Sequence, residues 1–352
     1  MLEARIDKRL GTFALGVEVA SRGRVTGLFG PSGSGKTTFL GAVAGIIRPD
    51  AGRIGFSGSV WFDGAARVHV PARRRRIGYV FQDPLLFEHM DVRRNIVYGR
   101  RRGGGGPDFD EVVEVLALGG LLERRPSELS GGQRRQAAIA RAILAGPRLL
   151  LLDEPLTNID SPAAGRIAVY LKRVMQVFEI PAVYVSHSIS DVLYLCDEVV
   201  VLNEGRVTTQ GPAYDVVTRR GVLDEAHLAE LRNLFSAEQV SFDGQDGMLR
   251  CRIGSQELVA AGERPERVGP LTLSIRACDI VLASQRPVGI SARNVLAGSV
   301  TRVEQVGLKF VVFVDVGQSW MVEVGRGAVA ELKLAAGSRV FAIVKATAIR
   351  VL

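Results

Sequence analysis

GPSGSGKT, residues 30–37, is the stretch on which the fold turns. It follows the short apolar run Val25 to Phe29 and opens a helical pattern at Lys36, giving the strand, loop and helix order of a nucleotide-binding unit. The glycines let the backbone curl so that successive N–H groups face one point, and the helix N-terminus adds its partial positive charge. Such a loop cradles phosphates. Gly30, Pro31, Ser32, Gly33, Ser34 and Gly35 wall the cradle, with Thr38 just beyond, while Lys36 reaches the β- and γ-phosphates and the Thr37 hydroxyl is placed to ligate Mg²⁺.

Further apolar runs extend the pattern outward: Leu149 to Leu152, Ala182 to Val185 and Glu198 to Leu202, separated by helical text. Short buried strands alternating with helices predict a mostly parallel sheet covered by helices. Asp153 and Glu154 close the run LLLLDEP, where a parallel sheet presents its catalytic edge. An Asp-Glu pair after a strand is ordinarily a solvated turn. With a phosphate loop upstream, Asp153 is instead suited to hold Mg²⁺ and Glu154 to polarise an attacking water. Helical patterns over Asp110 to Leu122 and Gly131 to Leu144, preceded by the loop-like RRRGGGGP from Arg100 to Pro107, predict a helical subdomain over about residues 85–145. The string LSGGQ, residues 129–133, starts the second of these helices, with Ser130 as N-cap and the N–H groups of Gly131 and Gly132 turned toward an anion. Two anion-binding helix starts could serve one nucleotide within a monomer, or meet across a dimer.

The order GPSGSGKT, FQDPLLF, LSGGQ, LLLLDEP and VSHS resembles the ATP-binding cassette family over roughly the first 220 residues. That resemblance implies an ATPase of the P-loop α/β class whose two copies assemble head to tail, each ATP lying between the phosphate loop of one copy and Ser130, Gly131, Gly132 and Gln133 of the other. It further implies that Gln82 senses Mg²⁺ and the attacking water, that His187 contacts the γ-phosphate, and that Asp160 links the two sites. In PLTNID, Asn158 and Ile159 depart from the pattern common in importers of this family. Phe13 is the only nearby aromatic for adenine, at a spacing that does not fit well. The text from Gln82 to Gly99 mixes apolar Leu85, Leu86, Phe87 and Met90 with basic residues, and in the family this neighbourhood receives a helix of the membrane subunit. Arg73 to Arg76 reads as a solvated loop.

After about Gly211 the text changes character, with helix-like sequence to about Leu234 and then strand-and-turn sequence to Leu352. We divide the chain into an ATP-binding domain over 1–220, a connecting segment over 221–289 and a small β-barrel, OB-like, over 290–352. SARNVLAGSV, from Ser291, and VKATAIRVL, from Val344, resemble the molybdate-binding Mop module of molybdate importers. Ser291, Asn294 and Thr347 offer neutral donors and Arg293 and Lys345 positive charge, a reasonable oxyanion set. The resemblance thus implies ATP-driven import of molybdate, and of the similar tungstate, with two permease subunits, a periplasmic oxyanion-binding protein and a homodimer of this chain at the cytoplasmic face of the inner membrane. Importers of sulfate, ferric iron, sugars or polyamines share the ATPase domain and remain alternatives. A soluble cassette ATPase of translation or repair usually carries two cassettes or a long coiled coil, and neither is present.

Composition bounds these readings. The 352 residues suit two domains, and 47% hydrophobic against 23% charged residues is a globular balance. A net charge of +8 alone would fit nucleic acid, anionic lipid or a small anion; the resemblance implies no nucleic acid. Cys196, Cys251 and Cys278 show no metal-ligand spacing and read as free thiols. The N-terminus lacks the apolar stretch of a signal peptide, and no run reaches the roughly 18 apolar residues of a membrane span.

Overall fold

Strand β1 (Leu2–Leu10) buries Leu2, Ala4 and Ile6 and exposes Glu3, Arg5 and Asp7, the period of two that a half-buried strand requires. It is seen in a computed structural model that describes residues 1–100, 106–217, 222, 228, 231–262 and 270–352. β2 (Phe13–Ala20) returns antiparallel beside it, and β4 (Ala51–Phe56), β5 (Ser59–Asp63) and β6 (Val68–His69) complete a sheet of order β2-β1-β4-β5-β6.

The second sheet is the one the phosphate loop grows from. β3 (Val25–Phe29), β7 (Ile77–Val80), β8 (Leu149–Asp153) and β9 (Ala182–Ser186) join β10 (Glu198–Asn203) and β11 (Arg206–Pro212) in the order β11-β10-β3-β9-β8-β7. Every pairing is parallel except that of β11 with β10. β3, β8 and β9 are buried throughout, as expected of strands covered on both faces. All four expected strands are present, three of them one residue longer than read. The parallel strands end together at Phe29, Asp153 and Ser186, so the residues that follow share one sheet edge.

Eight helices accompany these strands among the described residues: α1 (Lys36–Ala44), α2 (Ala72–Arg75), α3 (Val92–Val97), α4 (Phe109–Val115), α5 (Gly131–Leu144), α6 (Ser161–Val177), α7 (Ile189–Leu195) and α8 (Ala213–Val217). α5 has the expected bounds, whereas the pattern read over Asp110 to Leu122 makes only the short α4. The left-handed backbone of Ala117 (φ 51°) breaks it, and a 3₁₀ turn follows at Gly119–Leu121. Residues 101–105 of the glycine-rich loop lie outside the described residues.

The reading of Arg73 to Arg76 as a solvated loop fails at Arg75. The segment forms the single turn α2, and Arg75 is 1% exposed. Its guanidinium donates to the carbonyls of Val70 (2.8 Å), Ala42 (2.8 Å) and Val43 (2.7 Å) and lies 5.8 Å from the Trp61 ring. Ala42 and Val43 close the C-terminal turn of α1, where unpaired carbonyls and the helix dipole favour a cation.

The chain forms two compact units, residues 1–216 and 217–352. In the second, residues 232–283, read as a connecting segment, are strands: β12 (Arg232–Asp243), β13 (Met248–Ile253), β14 (Gln256–Ala261), β15 (Pro270–Arg276) and β16 (Val281–Ala283). β17 (Asn294–Val306), β18 (Lys309–Asp315), β19 (Ser319–Gly325), β20 (Arg339–Val344) and β21 (Arg350–Val351) follow, with one short helix, α9 (Arg326–Glu331). They make two curled half-barrels, β14-β13-β12-β15-β21 and β16-β20-β17-β18-β19, over one core that includes Leu249, Leu273, Val312 and Trp320. Much of 218–230, where the sequence changes character, lies outside the described residues.

Candidate functional site

The phosphate loop is shaped by contacts that only glycine permits. Gly30 sits at φ 153°, and a Cβ there would collide with the carbonyl oxygen of Leu202. Gly35, the N-cap of α1 at φ 103°, has no room either, since a Cβ would lie 2.7 Å from Leu15 and 2.9 Å from Phe13. The Phe13 ring therefore packs on the phosphate loop itself. Lys36 is 5% exposed, and its ammonium donates to the carbonyls of Gly30 (2.8 Å) and Pro31 (2.9 Å), so it is held inside the curl of the loop. Burial lowers its pKa, while Glu154 and Asp153 oppose the shift. The Ser34 hydroxyl is buried without a hydrogen-bond partner, a polar atom left available in the cradle wall.

The carboxylates stand opposite. Asp153 Oδ1 lies 3.4 Å from the Thr37 hydroxyl, and Oδ2 accepts from the Tyr79 hydroxyl at 3.2 Å. Burial raises the Asp153 pKa, and the hydrogen bonds from Tyr79 and Thr37 work against that rise. Thr37, Asp153 and the exposed Gln82 supply hard oxygen donors, the chemistry Mg²⁺ prefers. The hydroxyl and carboxylate already close together fit that use. Glu154, directly after β8, adopts a left-handed backbone (φ 46°), a strained conformation for a non-glycine residue. Its Oε2 accepts from Thr157 (3.1 Å) and lies 3.5 Å from His187 Nδ1, so the expected base and the expected γ-phosphate contact are neighbours.

The LSGGQ residues form their own centre. Ser130 caps α5 with Oγ accepting from Gln133 N (3.3 Å), while Gln133 Oε1 accepts from Ser130 N (2.9 Å), a reciprocal capping box. Gly131 is exposed. No hydrogen bond or ion pair among the described residues links 130–133 to 30–38. Asp160 caps α6, accepting from Ala163 N at 2.9 Å.

Several positioning residues escaped the sequence. Tyr79 needs the pairing of β7 with β8 to reach Asp153. Arg135, 4% exposed on α5, donates to the Phe81 carbonyl at 2.7 Å, and Arg141 donates to Pro84 at 3.1 Å, tying the LSGGQ helix to the segment around Gln82. Asn95, fully buried, accepts from Phe87 N and donates to the carbonyls of Phe87, Met90 and Asp91, folding the loop that carries Leu85 and Phe87. Buried side-chain donors beside long loops are the signal that could have found them.

In the C-terminal unit the proposed oxyanion set divides. Ser291, Arg293, Lys345 and Thr347 are exposed, and the pairing of Asn294 with Val344 sets Arg293 and Lys345 at the same strand end. Asn294 must be corrected. It is 2% exposed, and its amide accepts from Val259 N (2.6 Å) and donates to the carbonyls of Val259 (2.9 Å) and Val344 (3.1 Å), so it is a clasp between strands, committed to the backbone.

Fold and site together define a P-loop nucleoside triphosphatase. The sequence matches the ABC transporter family over residues 18–157 and the TOBE domain over residues 290–351. It is 39% identical to a molybdenum import ATP-binding protein, ModC, of Mesorhizobium japonicum, covering 98% of this chain and 95% of the relative. A ModC of Rhizobium meliloti is 42% identical, covering 85% of each chain. Among solved structures, cbiO1 from Clostridium perfringens, part of the ABC transporter complex cbiONQ, aligns with a TM-score of 0.54 at 26% identity over 63% of this chain and 92% of that one. The chain belongs to the ATP-binding subunits of ABC transporters.

Proposed function

We propose that this chain hydrolyses ATP to drive the import of molybdate, and of tungstate, across the cytoplasmic membrane. The observation that carries the cargo is identity to molybdenum import ATP-binding proteins through the C-terminal unit as well as the ATPase. No described helix is long and apolar enough to cross a membrane. The chain works at the cytoplasmic face as a homodimer bound to two permease subunits, fed by an oxyanion-binding protein outside, and oxyanion held by its own C-terminal unit regulates the cycle.

In hydrolysis, Lys36 and the loop N–H groups hold the β- and γ-phosphates, and Ser130, Gly131, Gly132 and Gln133 of a second copy close over them. Thr37, Asp153 and Gln82 would hold Mg²⁺, which neutralises phosphate charge when bound. Glu154 takes the proton of the attacking water, and His187 donates toward the γ-phosphate oxygens. ATP-dependent uptake by proteoliposomes containing this chain and its permease tests the cargo: uptake of molybdate and tungstate is expected, and uptake of sulfate, iron, sugar or polyamine instead would sink it.

The Tyr79 bond to Asp153 gives a milder prediction. Tyr79→Phe removes one hydrogen bond to a charged group, worth about 1.5–3 kcal/mol, and frees the carboxylate to rotate. The Mg²⁺ concentration giving half-maximal hydrolysis should rise by about tenfold, with Mn²⁺ affinity read by electron paramagnetic resonance moving in parallel. An unchanged metal dependence would leave Tyr79 with packing alone.

A further inference from the structure

Thr157 stands on a turn that begins at the base itself. The Glu154 N–H donates to the Val185 carbonyl of β9 at 3.1 Å, which fastens the backbone of the base to the parallel sheet. Pro155 and Leu156 are buried, and the Thr157 N–H donates back to the Glu154 carbonyl at 3.2 Å, closing a turn with proline at its second position. Asn158 then takes a left-handed backbone (φ 61°), and Asp160 caps α6. A left-handed Glu154 is costly and persists only where its surroundings fix it. Here the sheet holds it on one side and the turn on the other.

The turn delivers one side-chain contact. Thr157 Oγ1 donates to Glu154 Oε2 at 3.1 Å, and His187 Nδ1 stands 3.5 Å from the same oxygen. Oε1 has no hydrogen-bond partner among the described residues, so the two oxygens of the carboxylate are unequal. One is held and the other keeps its lone pairs.

A general base needs that inequality. Glutamate reaches its target through several rotatable bonds, and the last of them, which sets the plane of the carboxylate, is the broadest. A donor fixed on one oxygen removes this freedom before water arrives, and preset geometry lowers the barrier to proton transfer. Threonine suits the task, because branching at Cβ restricts χ1 and so restrains the direction of the hydroxyl.

We propose that Thr157 is a positioning residue for ATP hydrolysis, its hydroxyl holding Oε2 of Glu154 so that Oε1 faces the attacking water. The proposal rests on the reading of Glu154 as the base given above. The proton of the water goes to Oε1, and Thr157 keeps its own. Since Thr157 touches the base and no residue of the phosphate loop through any hydrogen bond, the effect falls on the chemical step and spares the binding of ATP.

Single-turnover hydrolysis by the full-length chain tests it. T157V keeps the size and branching of the side chain and removes the donor, so its rate at saturating ATP should fall by about ten- to a hundredfold, the worth of one hydrogen bond to a charged group. Binding of a fluorescent ATP analogue should stay within about threefold of wild type. T157S, which keeps the hydroxyl, should recover most of the rate. The double variant separates positioning from packing: in an E154Q background there is no base to position, and T157V should cost less than about twofold more. A T157V rate equal to that of wild type, a T157S rate as low as that of T157V, or the same T157V loss with and without E154Q would each overturn the proposal. So would a T157V chain that has lost ATP binding, since the hydroxyl would then be holding the fold of the site. Full hydrolysis by E154Q alone is a different failure, because it removes the base and is read without touching Thr157.

Discussion

Glu154→Gln is expected to slow ATP hydrolysis by about a hundred- to a thousandfold, the usual loss when a general base is removed, while changing ATP affinity by less than about threefold. The side chain lies beside His187 and Thr157 and outside the loop that holds the phosphates, so the amide keeps the size of the site and loses only the capacity to take a proton. Its left-handed backbone is retained, because Gln and Glu meet the same strain at φ 46°. Single-turnover hydrolysis and binding of a fluorescent ATP analogue separate the two effects. Full hydrolysis by the variant would remove Glu154 from the base role. Substituting Ser130 or Gly131 should also abolish hydrolysis and spare ATP binding, but for a different reason: those residues are not bonded to the phosphate loop of their own chain. The two variants should then differ in assembly, since Glu154→Gln keeps both surfaces and should accumulate as an ATP-bound dimer in gel filtration, whereas the Gly131 variant should remain monomeric.

The parallel sheet was legible because strands buried on both faces leave unbroken apolar runs, and Val25–Phe29 was read to the residue. The chemistry at their ends was legible for the same reason, since Asp153, Glu154 and His187 follow such runs directly. β1 is equally visible in LEARIDKRL, where buried Leu2, Ala4 and Ile6 alternate with exposed charged residues. Tyr79, Arg135 and Asn95 were hidden because their partners lie 74, 54 and as few as 4 residues away, and nothing in local spacing announces a buried donor that serves a loop carbonyl. Residues 232–283 read as a connecting segment because no string in them carries a motif, and only the pairing of β12 with β13 and β15 makes them part of a sheet. Asn294 misled in the opposite direction. An amide within a basic loop looks like a ligand donor, and only the neighbouring strand β14 shows where its hydrogen bonds are used.

Arg75→Met should destabilise the ATP-binding unit by about 2–4 kcal/mol, the order expected when two buried carbonyls each lose a donor, whereas Arg73→Ala and Arg74→Ala should each stay within about 0.5 kcal/mol as exposed substitutions. The four arginines in a row look alike in sequence, and burial alone tells them apart. Methionine replaces most of the apolar stem, so the cavity left is small. The carbonyls of Val70 and Val43 lose their guanidinium donors inside the core, while that of Ala42 still accepts from Gly45 N at 3.1 Å. Burial lowers the Arg75 pKa only to about 10, so the side chain is charged at neutral pH and the α1 C-terminus carries a full cation. Arg75→Lys should recover only part of the loss, because one ammonium cannot reproduce a planar fork reaching both α1 and Val70. Urea unfolding followed by tryptophan fluorescence reads the effect near the site, since Trp61 lies under the guanidinium. α1 carries Lys36 and Thr37 at its other end, so the same loosening should weaken ATP binding at temperatures where the variant is still folded. Equal stability of Arg75→Met and Arg74→Ala would show that the carbonyls find other donors, and that the C-terminal end of the phosphate-loop helix is held by packing alone.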